Sequence, residues 1–234
     1  MPRQPTAPDR HGGARARQEI LASRERFWTP ADLQLTDSTA HHLLGDLTTR
    51  GELRRVRRGL YWRGVTTPLG MTPPSNEQLL TRLAPGPGVG PAGLSAANHL
   101  RLSTQVPRRA HVAVPERAPS DVATLTFVSR PARTARITAR LTPTEVALLE
   151  VLDAWDRVVE LPGGQAAAHL TRLLRDDDTL AAQLTAAAPT EPGRTRARLA
   201  ALLDASGHPA LAAQVPPPDP RTGSAALASL RDAV

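Results

Sequence analysis

Residues 36–62 read TDSTAHHLLGDLTTRGELRRVRRGLYW, and this stretch decides the expected fold. Thr36 is a candidate helix N-cap, and the acidic Asp37 suits the positive end of a helix dipole. Apolar residues follow at a spacing of i, i+3, i+4 and i+7, which is typical of a helix with one buried stripe. They are Ala40, Leu43, Leu44 and Leu47. Because Gly51 is a common helix terminator, the pattern predicts a helix from Asp37 to about Arg50.

A basic hairpin is predicted directly after this helix. Residues 52–57 and 60–63 form two short strand patterns, and Arg58 and Gly59 supply a tight turn between them. Two helices are predicted upstream. Residues 14–26 form a short amphipathic pattern, and a brief helix over residues 31–34 is expected to begin at a Thr-Pro cap. Three helices and a basic hairpin in about 50 residues are the parts of a winged helix-turn-helix.

We therefore expect a two-domain α+β protein. The Pro- and Gly-rich residues 1–13 are predicted to be a disordered lead, residues 14–64 the winged helix-turn-helix, and residues 65–75 a linker. A second domain that mixes helices with strands is expected over residues 76–212. Residues 213–234 lose periodicity and are predicted to be a flexible tail.

The second domain has its own strand and helix signals. Residues 109–114 and 124–129 are β-branched and bounded by Pro, so they are predicted to be strands, with residues 136–139 as a candidate third. Thr142, with Pro143 after it and Glu145 at the third helical position, has the spacing of a capping box and predicts the start of a long helix.

Composition excludes several kinds of chemistry. The 234 residues include no Cys, which excludes disulfides, thiolate zinc sites and a Cys nucleophile. They include no Lys, which excludes P-loop lysines, Schiff bases and Lys general bases. No apolar stretch reaches the 18 or so residues of a membrane helix, and the polar N-terminus lacks a signal-peptide pattern. We expect a soluble, cytoplasmic protein without a membrane partner.

Charge is distributed unevenly along the chain. Residues 1–70 carry a net charge of +5, residues 71–140 a net charge of +6, and residues 141–234 a net charge of −4. A basic front half suggests a polyanionic partner, and double-stranded DNA is the polyanion that a winged helix-turn-helix binds. The alternative is a solvated Arg-rich surface, with the winged helix used for protein contact.

The candidate DNA-binding residues lie on the helix and on the hairpin. In a helix-turn-helix the N-terminal part of the second helix faces the base edges, where Ser, Thr and His side chains can donate or accept hydrogen bonds. A cation-rich wing follows phosphates or enters a minor groove. The candidates are Thr36, Ser38, Thr39, His41, His42 and Arg50 on the helix, and Arg54, Arg55, Arg57 and Arg58 on the hairpin.

No catalytic site, metal site or cofactor is expected. His41 and His42 are adjacent on a helix and point about 100° apart, so they cannot easily share one ion. The run Asp176–Asp178 could hold a divalent cation, which would suit an enzyme that acts on nucleic acid, but such a run more often marks the break between two helices, with Asp178 as the N-cap.

Three segments together resemble the AbiEi family of antitoxins, which belong to type IV toxin–antitoxin pairs of abortive infection, a form of phage defence. Residues 27–61, with LTTRGELRRVRRGLYW at 47–62, are similar to the winged-helix head of that family. The segments GPAGLSAANHLRLSTQVP at 90–107 and ARITARLTPTEVALLEVLDAW at 135–155 resemble its second domain.

The resemblance implies a DNA-binding antitoxin that represses its own operon at inverted repeats. It also implies a C-terminal domain that opposes a nucleotidyltransferase-type toxin, usually without a stable complex. The head's DNA-facing positions then fall on the helix and wing candidates given above. One departure is that the family often has basic residues where this chain has His41 and His42. The alternative function is a stand-alone winged-helix transcriptional regulator, whose second domain senses a ligand or another protein.

Overall fold

The structure is a computed structural model that describes residues 10–231 and has a mixed α+β architecture. These residues divide into two compact units, with the boundary between Leu79 and Leu80. Within the described part of the chain, no helix has both the length and the apolar character needed to cross a bilayer.

The first unit alternates helices with short strands. Its elements are α1 (Arg10–Ala22), β1 (Arg26–Trp28), a 3₁₀ turn (Pro30–Asp32), α2 (Asp37–Thr49), β2 (Arg54–Arg57), β3 (Leu60–Arg63), β4 (Thr66–Thr67), β5 (Gly70–Met71) and α3 (Asn76–Leu83), which crosses the unit boundary. The 3₁₀ turn begins after Thr29 with Pro30 at its first position, but it ends at Asp32 instead of continuing to residue 34 as predicted. The Thr29 hydroxyl does not cap the backbone; the Asp32 carboxylate instead accepts the backbone N–H of Thr29 at 2.6 Å.

An antiparallel sheet in the order β1-β3-β2 closes the first unit. Strand β1 pairs Trp28 with Tyr61, so the segment that follows α1 is hydrogen-bonded to the second strand of the hairpin. The apolar stripe of α2 then packs on α1 and on this sheet. The buried side chains of this core are Ala16, Ile20, Trp28, Leu33, Ala40, Leu44, Leu47, Leu53 and Tyr61.

The second unit is mainly helical and contains one small sheet. Its strands are β6 (Gly90–Pro91), β7 (Ala110–Val114) and β8 (Leu125–Ser129), with β7 antiparallel to β6 and parallel to β8. Its helices are α4 (Gly93–His99), α5 (Ala135–Thr138), α6 (Pro143–Val158), α7 (Gly163–Asp176), α8 (Asp178–Ala187), α9 (Gly193–Ala205), α10 (Pro209–Ala212) and α11 (Pro220–Arg231), with a 3₁₀ turn at Ala188–Thr190.

Helix α6 is the centre of the second unit. It begins where the capping signal predicts, with Thr142 as N-cap and its backbone N–H bonded to the Glu145 carboxylate. Both sides of the helix are buried, and it contacts β6, α4, α8 and α9. A helix surrounded by other elements must be apolar on most faces, which explains the sequence VALLEVL over residues 146–152.

Several sequence predictions are confirmed. The helix of residues 37–49, the strands of the basic hairpin and the strands at 110–114 and 125–129 form as expected. The three-residue strand β1 was not predicted, because so short a segment has no periodicity and is fixed only by its pairing with β3. The predicted strand at 136–139 is wrong, since these residues lie in and just after α5.

Three predictions about the segments between and around the domains need correction. The predicted linker, residues 65–75, contains the β4–β5 hairpin. Within the predicted tail, residues 213–234, the segment Pro220–Arg231 forms α11, because Ala226 and Leu230 are buried and α11 packs on α9. Residues 232–234 lie outside the described part of the chain. Of the predicted disordered lead, residues 1–9 lie outside the described part of the chain, whereas residues 10–13 belong to α1.

The close approach of β6 to α6 gives a test of this packing. A Cβ atom added at Gly90 would lie 2.7 Å from the Pro143 carbonyl oxygen and 2.7 Å from Cβ of Val146. We expect Gly90→Ala to lower the free energy of unfolding by about 1–3 kcal/mol, as overpacked cores do. The matched control is Gly164→Ala on α7, where nothing lies within 4 Å. Urea unfolding should show no loss for the control, and equal stability of both variants would contradict the packing.

Candidate nucleic-acid interface

Helix α2 presents a polar, exposed surface along its N-terminal half. Ser38, Thr39, His41 and His42 are all exposed, and Ala40 between them is buried in the core. Thr36 stands at the N-cap position, but its hydroxyl lies 2.8 Å from the Thr39 hydroxyl and makes no bond to the helix backbone. The first turn of α2 thus carries a row of hydroxyl groups that can donate or accept hydrogen bonds.

The β2–β3 hairpin spreads its arginines over both faces of the sheet. Arg54 stands opposite Trp62, Arg55 opposite Tyr61 and Arg57 opposite Leu60, and the register shifts between Arg55 and Arg57. Residues directly opposite each other point to the same face, and one extra residue reverses the alternation. Arg54 and Arg57 therefore share one face, while Arg55 shares the face of Tyr61, which belongs to the helix-side core.

The turn of the β2–β3 hairpin has the geometry that its sequence requires. Gly59 has a φ of 73°, in the left-handed region that favours glycine, and it follows the exposed Arg58. The turn therefore presents a fourth cation at the tip of the hairpin.

These four cations have no ion-pair partner in the described part of the chain. By contrast, Arg17 pairs with Glu52 at 3.3 Å and Arg26 lies 3.9 Å from Glu19. Arg63 donates to the Glu52 carbonyl at 3.2 Å. A guanidinium without a local carboxylate is available to an external anion, and the hairpin carries four such groups within five residues.

Arg50, at the far end of α2, is engaged within the protein. Its Nε donates to the Asp46 carboxylate at 3.1 Å, four residues earlier on the exposed side of the helix. Exposed pairs of this kind are worth about 0.3–0.5 kcal/mol, so a phosphate can replace the carboxylate at small cost. Arg50 lies at the opposite end of α2 from the N-terminal candidates, and its guanidinium already has a carboxylate partner. It is therefore the least available of the predicted residues for contact with an external anion.

The residues considered for metal binding do not form a cluster. Among the described residues, no group of three or more His, Asp or Glu side chains is arranged to hold an ion. In the acidic run, the N-cap is Asp177 rather than the expected Asp178, since its carboxylate accepts the N–H of Leu180 at 2.9 Å. Asp178 instead lies 3.7 Å from the His208 ring.

The second unit contains an ion network that the sequence analysis did not anticipate. Glu150, on α6, accepts hydrogen bonds from three arginines, and Glu191 accepts from Arg136 at 2.7 and 3.0 Å. The network consists of Arg130, Arg133, Arg136 and Arg194 with Glu150, Asp153 and Glu191. The side chains of Arg136 and Glu191 are 0% exposed. The network connects the segment before α6 and helix α6 itself with the start of α9 through ion pairs.

Two carboxylates in this network have pKa values below the ordinary range. Burial raises the pKa of Glu150, but the hydrogen bond from Arg130 and the charges of Arg136 and Arg133 lower it by more. Burial likewise raises the pKa of Asp153, and the arginines 194 and 133 more than offset this. Ionised carboxylates are therefore the stable form inside this unit.

This network gives a pH-dependent prediction. Because the folded pKa of Glu150 is lowered, its contribution to stability is full above the ordinary carboxyl pKa of about 4 and is lost as the pH falls through the folded value. We expect Glu150→Gln to cost about 3–5 kcal/mol at pH 7 by leaving buried arginines uncompensated. In urea titrations, the difference in unfolding free energy between Glu150→Gln and the unmodified protein should become smaller as the pH is lowered towards 3.

The control is Asp204→Asn, an exposed residue without an ion pair in the described part of the chain. It should change the unfolding free energy by less than about 0.5 kcal/mol. A Glu150→Gln cost that is just as small, or one that does not depend on pH, would contradict the role of the network.

Comparisons with known proteins give little further information. No family model and no curated protein matches the chain. The structure is similar to the crystal structure of the RV2827C protein from Mycobacterium tuberculosis, with 20% sequence identity and a TM-score of 0.48, over 94% of this chain and 81% of that one. A similarity at this level carries no functional argument.

Proposed function

We propose that the first unit is a winged helix-turn-helix that binds double-stranded DNA, with α2 as the recognition helix and the β2–β3 hairpin as the wing. The observation that carries this proposal is a set of four arginines on a hairpin that follows a polar helix face, none of which has an ion-pair partner among the described residues. The order helix, strand, helical turn, helix, two-stranded hairpin, with the first strand paired to the last, also supports it.

In this proposal α2 lies in the major groove with its N-terminal half towards the bases. The N-terminal half carries no arginine, so base readout depends on hydroxyl and imidazole groups at Ser38, Thr39, His41 and His42. Such groups hydrogen-bond to several kinds of base edge, and each good contact discriminates by about 1–3 kcal/mol. Affinity then depends mainly on the wing, because phosphate contacts from arginine supply most of the electrostatic binding energy.

We propose further that the protein is an antitoxin of the AbiEi type, which represses its own operon and opposes a nucleotidyltransferase-type toxin through the second unit. The two segments of the second unit that resemble the family are 90–107 and 135–155. They form β6, α4, α5 and α6, and α6 contacts both β6 and α4. The resemblance therefore covers the packed centre of the unit rather than scattered surface positions, which supports a shared fold.

The alternative is a stand-alone regulator whose second unit senses a ligand or a protein. The two functions differ in gene context, because an antitoxin is encoded beside its toxin. A nucleotidyltransferase reading frame next to this gene, toxic when expressed alone and harmless when co-expressed with this chain, supports the antitoxin. Toxicity that this chain does not relieve, or the absence of such a reading frame, supports the regulator.

The wing gives the first test of DNA binding. We expect the double variant Arg57→Ala, Arg58→Ala to weaken binding to every duplex and to make the dependence of log K on log salt shallower by about 1–2 units, at roughly 0.9 per lost phosphate contact. A fluorescence-anisotropy titration over a salt series measures both effects.

The control for the wing variant is the pair Arg172→Ala, Arg175→Ala, which removes two exposed cations from α7 in the second unit. This control keeps the net charge equal to that of the wing variant. If both variants change the salt dependence of binding equally, the wing arginines contact the DNA phosphates no more than the arginines of α7 do.

The recognition helix gives a second test. Thr39→Ala and His42→Ala should lower the preference for a selected high-affinity sequence over random duplex by about 1–3 kcal/mol each, with a smaller effect on random duplex. The control is Thr49→Ala, an exposed residue near the other end of α2 whose hydroxyl donates to the Gly45 carbonyl. Equal losses on selected and random sequences would show that these side chains do not read bases.

A further inference from the structure

Two segments of the second unit are joined just after the end of α6 by the carboxylate of Glu160. Its Oε2 accepts the Thr104 N–H at 2.7 Å and the Thr104 hydroxyl at 3.2 Å, and its Oε1 accepts the side-chain amide of Gln105. The Leu102 carbonyl accepts the backbone N–H groups of Glu160 at 3.0 Å and of Leu161 at 3.4 Å. These bonds, that from the Thr104 N–H above all, lower the pKa of Glu160, so the carboxylate that fixes the loop is ionised.

Each of the two joined segments exposes an aliphatic side chain that is followed by a proline. Val106 is 78% exposed and precedes Pro107, and Leu161 is 37% exposed and precedes Pro162. We call these four residues the apolar patch. Val106 and Leu161 are the exposed large aliphatic side chains of the second unit among its described residues. Because the bonds to Glu160 already order the loop, a partner that covers the apolar patch loses little free energy in ordering it.

Exposed arginines flank both halves of the apolar patch, and they are Arg101, Arg108, Arg109 and Arg157. Residues 100–109 contain no acidic residue. Arg109 lies 4.0 Å from Asp121, and the other three arginines have no ion-pair partner among the described residues. The carboxylate of Glu160 is engaged by the loop. The surroundings of the apolar patch are therefore positively charged, with little neutralisation by the protein itself.

An aliphatic centre with a positive rim fits an acidic protein better than a nucleic acid. An apolar anchor at the centre and opposite charges at the edge are the usual complement between two proteins. Single-stranded nucleic acid stacks its bases on aromatic side chains, and residues 100–109 and 157–162 contain none. Duplex DNA offers phosphates to the arginines but little apolar surface to Val106 and Leu161.

We propose that the apolar patch and its flanking arginines are the site at which the second unit binds a partner protein, which presents an apolar side chain within an acidic surface. The proposal does not depend on DNA binding by the first unit. Four residues cover far less than the roughly 800 Å² per partner of a stable interface, so the contact is transient. A transient contact suits both functions considered for this unit, opposition to a toxin without a stable complex and the sensing of another protein.

A peptide selection tests the chemistry of the partner. A displayed library of short random peptides is first depleted on the full chain that carries Val106→Ser and Leu161→Ser, and is then selected on the unmodified full chain. Both substitutions lie at exposed positions, and urea unfolding verifies that the variant is folded. We expect the recovered peptides to be rich in Asp and Glu around a large apolar residue. No recovery, or recovered peptides without an excess of acidic residues, would overturn the proposal.

Affinities of one recovered peptide separate the apolar patch from the rest of the basic chain. In fluorescence anisotropy, Val106→Ser should weaken binding about tenfold, as expected when the burial of one valine is lost. The double variant Arg101→Gln, Arg108→Gln should weaken binding and reduce its dependence on salt. The matched controls remove an exposed leucine of the first unit and two exposed cations of α7, and they are Leu69→Ser and the pair Arg172→Gln, Arg175→Gln. Equal losses in the variants and their controls would contradict a site at the apolar patch.

Nucleic acids distinguish a protein partner from a polyanion. The double variant Val106→Ser, Leu161→Ser should bind a short DNA duplex and a single-stranded RNA as the unmodified chain does. If it binds either of them as weakly as it binds the peptide, relative to the unmodified chain, the apolar patch contacts nucleic acid and the proposal is wrong. If the unmodified chain binds no duplex, the DNA-binding function proposed above fails, while the peptide measurements still decide the partner site.

Discussion

The antiparallel pairing of Trp28 with Tyr61 is the constraint on which the first unit depends. Trp28 is 0% exposed, its indole N–H donates to the Ser23 hydroxyl at 3.0 Å, and Ser23 in turn donates to the Ile20 carbonyl at 2.7 Å. This chain of contacts joins the end of α1 to the central strand of the sheet. Because the basic hairpin includes that central strand, the position of its arginines relative to α2 is fixed by a core residue more than 25 positions away in sequence.

The two units use arginine in opposite ways, and the difference follows from the carboxylates around each group. On the β2–β3 hairpin, the four arginines have no carboxylate partner in the described part of the chain and are open to an external anion; they are Arg54, Arg55, Arg57 and Arg58. In the second unit, Arg136 is enclosed by Glu150 and Glu191 and serves the fold. Because the chain has no lysine, every Lys/Arg position is an arginine, whether it binds a partner or stabilises the fold. A count of charges therefore does not separate the two roles, and the contacts of each arginine are needed to do so.

Local signals in the sequence were sufficient to predict the helix and the hairpin of the candidate interface, but not the strand and the bulge that position them. The acidic Asp37 in the first turn of α2, the apolar stripe of that helix and the glycine at position 59 act within a few residues, so α2 and the hairpin were predicted correctly. Strand β1 and the bulge at Val56 depend on pairing with a distant strand, and no local pattern encodes them. The bulge nevertheless decides which arginines share a face.

The buried network of the second unit could not be predicted by the usual rule that charged residues lie outside. One signal was present: Glu150 and Asp153 interrupt an apolar helix pattern three residues apart, and Arg130, Arg133 and Arg136 also recur every three residues. Matching spacings of opposite charge indicate a pairing between two segments. Arg136 reaches its carboxylates from the helical backbone of α5, in the segment 136–139 for which a strand was predicted.

We propose that the first unit contacts DNA through the start of α2 and the β2–β3 hairpin. Amide hydrogen exchange of the full chain, with and without a bound duplex, tests it most directly. We expect slower exchange on DNA binding at residues 37–42 and 54–59, with no comparable change in residues 141–231. Slower exchange confined to residues 141–231, or none at 37–42 and 54–59 at saturating duplex, would contradict the claim.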